Sequence, residues 1–329
     1  MKKLKIGVLG VSNHFQKRVL LPLKETKYCS VYGIASRNGD KSLKAAKQHQ
    51  IPMSYSSYNS LLSDSDIDAV YIPLPNHMHA EWIKKAVDSG KPVLCEKPLC
   101  LSADEANKVA QYAKDKEVKL MEAFMYKFHP LWIHVKNIIQ TNQIGKVTYI
   151  HTSFSYNNPS KSNIRNIKEY GGGAMMDIGC YAVSVPRFLL DKEPDRVVSA
   201  ITRHPDFDTD MLSSAIIDFG DAKVTFSVGT LSESNQYVEI VGTSGKISIP
   251  LPFNTFVDVN SSISITNNIG KRIVEFEPAD QYGIMFDAFA NAVINNRPFP
   301  VPIDDAVNNQ KVVDAVFKSA KSNSWETMI

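Results

Sequence analysis

The sequence predicts an α/β protein in two parts. Residues 1–122 form a domain on a parallel sheet, and residues 123–329 form an α+β domain on an open, largely antiparallel sheet. Two features of the chain carry this. Short apolar runs alternate with helical stretches as far as Glu122, and beyond it strand-like segments follow one another with short turns. The 329 residues, 43% of them hydrophobic, suffice for two cores.

In the first part the candidate strands are Leu4–Leu9, Val31–Ala35, Ala69–Ile72, Pro92–Cys95 and Lys119–Met121. Helical segments Ser42–His49, His77–Ser89 and Ala103–Lys116 lie between them. Strands separated by helices imply crossovers and a parallel sheet covered on both faces, the Rossmann arrangement. Such a sheet binds dinucleotides beyond the carboxyl ends of its strands, so the residues just after each strand matter most. In the second part Leu131–Gln140 and Gly171–Leu190 read as helices and Lys146–Tyr156 as an alternating strand. Further strands are expected at Arg196–Arg203, Met211–Phe219, Lys223–Thr230, Tyr237–Gly242, Lys246–Pro250, Phe256–Val259 and Arg272–Glu277. Short connections between consecutive strands favour antiparallel pairing. Helices Gln281–Asn295 and Asp304–Ser322 close the chain.

Composition excludes several classes. The 37 basic and 34 acidic residues leave a formal charge of +3, too small a field to attract nucleic acid or an anionic membrane. The basic cluster Met1-Lys2-Lys3-Leu4-Lys5 runs into an apolar strand without the pattern of a signal peptide, and no apolar run approaches the roughly 20 residues of a membrane span. A soluble, cytoplasmic protein is expected. Cys29, Cys95, Cys100 and Cys180 show no Cys-x-x-Cys pair, and the spacings of His77, His79, His129 and His134 suit no shared metal, so no metal site is expected.

The first strand leads into Gly10-Val11-Ser12-Asn13-His14-Phe15. A dinucleotide fingerprint from residue 10 would read Gly-x-Gly-x-x-Gly, letting backbone approach the diphosphate at a helix N-terminus. Only Gly10 matches; Ser12 and Phe15 hold the other places, which leaves backbone donors around Ser12, Asn13 and His14 as the expected contacts. The second strand ends in Ser36-Arg37. An acidic residue there would select NAD(H), whereas a guanidinium suits a 2′-phosphate, so NADP(H) is the expected cofactor and NAD(H) the alternative. Asp40 is expected to cap the helix that follows. Lys97, in Glu96-Lys97-Pro98 after the fourth strand, stands where a lysine can transfer protons, because burial moves an amine towards neutrality.

Several stretches together resemble the glucose–fructose oxidoreductase/inositol dehydrogenase (Gfo/Idh/MocA) family over almost the whole chain. They are Ile6–Gly10, Asp68–His79, Cys95–Leu99, Met121–Pro130 and Gly171–Tyr181. The last two look like the branch of glucose–fructose oxidoreductase, xylose dehydrogenases and dihydrodiol dehydrogenases. The resemblance implies NAD(P) in the Rossmann domain, with Leu74, Asn76, His79, Glu96 and Lys97 among its contacts and Asn76 and His79 near the nicotinamide end. It implies that Lys97 also touches substrate, that the Lys97–Pro98 peptide is cis, and that Asp177 and the residue four places on, here Tyr181, belong to the site. Residues four apart share a helical face. Tyrosine at 181, where many relatives have histidine, argues against simple equivalence to inositol dehydrogenases.

The implied activity is hydride exchange between nicotinamide and a secondary alcohol or hemiacetal carbon of a sugar or related polyol. Lys97 and Tyr181 would share the hydroxyl proton, with Asp177 orienting a neighbouring hydroxyl. A nucleotide-sugar ketoreductase, an NAD-dependent glycosidase and a non-catalytic cofactor-binding regulator are the alternatives. Strands Ala215–Phe219 and Val224–Val228 carry apolar residues that need a cover, which with the resemblance predicts a homodimer or higher homo-oligomer through the second sheet.

Overall fold

The computed structural model describes residues 3–328; Met1 and Lys2 of the basic cluster, and Ile329, lie outside the described residues. The chain divides into two compact units, residues 1–125 with 280–307 and residues 126–279 with 308–329.

The first unit holds six strands: β1 (Leu4–Leu9), β2 (Cys29–Ala35), β3 (Met53–Tyr55), β4 (Ala69–Ile72), β5 (Val93–Glu96) and β6 (Leu120–Ala123). They form one sheet in the order β3-β2-β1-β4-β5-β6, and every pair is parallel. Strands β1, β4, β5 and β6 are almost wholly buried, as expected where helices cover both faces. The helices are α1 (Leu20–Leu23), α2 (Gly39–His49), α3 (Tyr58–Leu62), α4 (His79–Asp88) and α5 (Ala103–Asp115). Ser57 and Ser102 cap α3 and α5 by accepting from the backbone N–H three residues on. Asn38, not Asp40, caps α2. Asn38 has extended backbone and accepts from the Lys41 N–H, whereas Asp40 already lies in the first turn, where its charge meets the positive end of the helix.

The second unit opens with α6 (Pro130–Gln140), β7 (Val147–Asn157) and α7 (Cys180–Leu190). Strands β8 (Arg196–Arg203), β9 (Asp210–Asp218), β10 (Lys223–Gly229), β11 (Leu231–Gly242), β12 (Gly245–Ile249), β13 (Ser261–Asn267) and β14 (Gly270–Phe276) follow. Helix α8 (Gln281–Ile294) belongs to the first unit, α9 (Ile303–Ser322) has residues in both, and β15 (Glu326–Thr327) is the last strand. The nine-stranded sheet has the order β14-β13-β12-β11-β7-β10-β9-β8-β15, and only its β7–β10 pair is parallel among the described residues.

Three expectations need correction. Phe256–Val259 forms no strand; the partner between β12 and β14 is β13, whose alternating Ser-Ile pattern buries Ile263 and Ile265. Gly171–Leu190 is not helical throughout, because Gly171 and Gly173 have left-handed or otherwise positive φ and the helical path starts beyond them. The apolar residues Ala215, Ile217, Phe219, Val224, Phe226 and Val228 are buried within the unit's own packing, beside α7 and the turn before it. They need no second subunit. The opposite face instead carries polar side chains paired across strands, the His151 imidazole with the Thr225 hydroxyl and the Ser214 hydroxyl with that of Ser227, around exposed Tyr149, Leu212 and Ile216.

Candidate functional site

In the first sheet the strand order reverses at β1 and β4, whose carboxyl ends therefore open onto a crevice suited to a dinucleotide. Gly10 follows β1 with φ +124°, a conformation side chains rarely adopt, and a Cβ there would come within 3.0 Å of Leu74 Cδ2. Backbone can thus pass close to a ligand at this point. Ser12 Oγ accepts from the Phe15 N–H at 3.1 Å and shapes the turn. Phe15, in the place of the fingerprint's last glycine, is fully buried against Tyr71. That glycine normally allows close helix–strand packing; with phenylalanine there, the first helix starts as a wide π-type turn, Phe15–Val19, before tightening into α1. Its leading backbone N–H groups, around Asn13 and His14, have no earlier turn to bond and suit a diphosphate. The residues present therefore fit a dinucleotide.

At the end of β2, Ser36 is buried and accepts from the Asn38 N–H, while Arg37 is exposed and acts electrostatically on Tyr58 and His77. At the end of β4, Leu74 is buried and Asn76 opens a short turn, Asn76–Met78, that leads into α4. His79 is wholly buried, its two ring nitrogens each 2.9 Å from a backbone carbonyl, those of Leu74 and Pro98. Burial lowers its pKa more than the carbonyls raise it. His79 thus ties the loops after β4 and β5 together, and the Lys97–Pro98 peptide in the second of these loops is cis.

Glu96 ends β5, buried, with half-buried Lys97 next to it. Its carboxylate accepts from Tyr71 Oη at 2.6 Å and lies 3.7 Å from His14 Nε2, which is 3.2 Å from Tyr282 Oη on α8. Burial pushes the Glu96 carboxyl up, but His14, the Lys97 charge and Tyr71 outweigh it and hold the pKa below the usual carboxylate range. A buried anion next to Lys97 is the result. Tyr71 and Tyr282 were not expected from sequence; Tyr71 lies inside a strand and Tyr282 far downstream, so neither local pattern points here.

The second unit gathers another cluster. A wide turn, Met175–Gly179, carries Asp177 and leads into α7, which carries Tyr181. Tyr181 is 4% exposed among Tyr126, Phe154 and Phe253, with centroids 6.0, 5.9 and 5.0 Å away. Asp177 accepts from Tyr156 Oη at 2.7 Å and from Arg165 Nε at 2.8 Å. Burial, reinforced by Asp177, pushes the Tyr156 phenol far above its ordinary pKa, so it remains a neutral donor. Arg165 comes from the loop after β7 and was not expected from sequence. Asp210, at the start of β9, is 1% exposed and accepts from the Met175 N–H and Ser213 Oγ, at 2.7 and 2.8 Å. It anchors the start of the turn that bears Asp177. Burial pushes its carboxyl up to about 6. Among the described residues no His, Cys, Asp and Glu cluster suits a metal, and no helix is long and apolar enough to cross a membrane.

A parallel sheet with this crevice at its switch point, and a second unit bearing a hydrogen-bonded carboxylate–tyrosine set, defines a dinucleotide-dependent oxidoreductase. Residues 4–124 match the NAD-binding Rossmann domain of the GFO_IDH_MocA oxidoreductase family and residues 132–248 its GFO/IDH/MocA C-terminal domain. The chain belongs to this family. It is 36% identical to D-xylose 1-dehydrogenase (NADP(+)) 2 of Haloferax volcanii, over 97% of this chain and 98% of that one. It is 32% identical to trans-1,2-dihydrobenzene-1,2-diol dehydrogenase of Xenopus tropicalis, over 67% of each. Among solved structures it resembles KijD10, a 3-ketoreductase from Actinomadura kijaniata in complex with NADP and TDP-benzene, with TM-score 0.91 and 26% identity over 97% of this chain and 98% of that one.

Proposed function

We propose that this protein is an NADP(H)-dependent oxidoreductase that oxidises or reduces a secondary alcohol or hemiacetal carbon of an aldose-type sugar or related polyol. The similarity along nearly the full length to an NADP-dependent xylose dehydrogenase carries this reading. Residues 1–122 hold the dinucleotide and residues 123–329 supply the substrate residues and the oligomer face. When bound, the nicotinamide supplies the hydride donor or acceptor. Gly10, Ser12, Asn13 and His14 take the diphosphate, Ser36 and Arg37 the 2′-phosphate, and Leu74, Asn76, Glu96 and Lys97 line the nicotinamide end. His79 acts through the two loops it joins. As hydride leaves the reacting carbon, Lys97 and Tyr181 carry away the proton of its hydroxyl, and Asp177 orients a neighbouring hydroxyl. A panel of aldoses, polyols and nucleotide sugars, followed by NADPH absorbance, tests this. No absorbance change with any of them sinks it, and sugar release without one points to a glycosidase.

NADPH binds more tightly than NADH in this reading, because a guanidinium pairs with a 2′-phosphate that NADH lacks. A charged hydrogen bond contributes on the order of 1.5–3 kcal/mol, so Arg37→Ala weakens NADPH about tenfold to a hundredfold and leaves NADH nearly unchanged. Dissociation constants from fluorescence titration decide it: tighter NADH in the wild type, or an unchanged NADPH constant in the variant, removes Arg37 from the site.

The open face of the second sheet is also proposed to pair two copies of the chain. Tyr149, Leu212 and Ile216, each 42–43% exposed, provide apolar anchors among hydroxyls. Light scattering at micromolar concentration gives a dimer for the wild type and a monomer for Ile216→Glu; a monomeric wild type refutes the pairing.

A further inference from the structure

We propose that Arg165 determines substrate specificity by donating from its outer edge to two adjacent hydroxyls of the sugar. This rests on the reading above that Asp177 faces the substrate. Arg165 is held at three points. Its N–H donates to Asn163 Oδ1 at 3.0 Å, its carbonyl accepts from the Gly173 N–H at 2.8 Å, and its Nε donates to Asp177 Oδ2 at 2.8 Å. The glycine run makes the second hold feasible, since a Cβ on Gly172 would fall 2.5 Å from the Arg165 carbonyl oxygen. Asn166, buried, fastens the same loop by donating to the carbonyls of Asn158 and Ser160. Such a support leaves little freedom to the Arg165 side chain.

The outer edge of the guanidinium is different. Among the described residues no acceptor takes Nη1 or Nη2, and the side chain is 38% exposed. The Asp177 charge holds Arg165 firmly protonated, and Arg165 acts electrostatically on both Tyr156 and Tyr181. A planar fork tied by Nε and open at both terminal nitrogens is a preorganised two-point donor. Its partner should be neutral. The Arg165–Asp177 ion pair has no net charge, and a carboxylate or phosphate placed on the fork would meet the Asp177 carboxylate next to it. Two neighbouring hydroxyl oxygens match both the spacing of the fork and the neutrality of the pair.

The test compares wild type, Arg165→Ala and Arg165→Lys on the best sugar from the panel and on its deoxy analogues near the reacting carbon. Lysine keeps the cation but loses the fork, so it stays informative if alanine impairs folding. Both variants should keep NADPH binding while kcat/KM falls roughly tenfold to a hundredfold. One deoxy analogue should cost the wild type a similar factor and cost the variants almost nothing extra, a coupling that a purely structural role would not produce. Undiminished kcat/KM in the variants, or a deoxy penalty as large in them as in the wild type, overturns the assignment. A wild-type preference for a sugar acid that disappears in the variants overturns the neutral-hydroxyl chemistry. Failure of the underlying reading looks different: the wild type itself then oxidises or reduces no sugar in the panel.

Discussion

Lys97→Ala yields a protein that still binds NADPH but turns over its sugar roughly 10²–10⁴-fold more slowly, the usual cost of losing a general acid or base. Lys97 follows β5, half-buried next to the buried Glu96 carboxylate. That carboxylate already has its own partners, since Tyr71 donates to it and His14 stands close by, so removing the lysine does not strand an unpaired buried charge. The fold should therefore survive, and the loss should fall on kcat. Steady-state kinetics paired with NADPH titration separate the two effects. Near wild-type turnover would remove Lys97 from the chemistry, and loss of NADPH binding would make it a cofactor anchor only.

Tyr181→Phe is expected to cost a similar factor in kcat, on the order of 10²–10⁴, with little change in thermal stability. The ring is enclosed by Tyr126, Phe154 and Phe253, and phenylalanine keeps the same outline, so packing is preserved. A core tyrosine without a chemical role would tolerate the exchange. The measurement is a kcat and KM pair at saturating NADP together with a melting curve. Full activity in the phenylalanine variant returns Tyr181 to the core, and a melting point that falls in step with activity makes its hydroxyl structural.

The parallel sheet was legible because each strand and crossover has its own local pattern, and the catalytic candidates because they sit in short contiguous motifs. What escaped lies between segments. Arg165 and Tyr156 reach Asp177 from a loop and a strand, and Tyr282 reaches His14 from the far end of the chain; no periodicity links such partners. Asp40 was misjudged for a smaller reason. Asn38 two residues earlier is an equally good cap, and the choice depends on where the backbone turns. β13 was readable in principle from its Ile263 and Ile265 alternation, but exposed Phe256, Val257 and Val259 just before it gave a stronger apolar signal in a segment that stays irregular. The departure at Phe15 was visible as a missing glycine, whereas the wide turn that accompanies it was not.

The return of α8 to the first unit governs the order in which the molecule can be completed during synthesis. Phe286 packs its ring on Tyr71 at 5.0 Å, and Asp287 accepts from the backbone N–H groups of Lys27 and Tyr28, so the first sheet is covered in part by residues made long after it. Residues 126–279 must leave the ribosome between the two pieces. At roughly 5–20 residues per second that is a delay on the order of ten seconds. Throughout it the nascent strands wait with Tyr71 uncovered, while the strands of the second sheet from β7 to β14 are being made. Each unit thus waits on a late segment, the first for residues 280–307 and the second for residues 308–329.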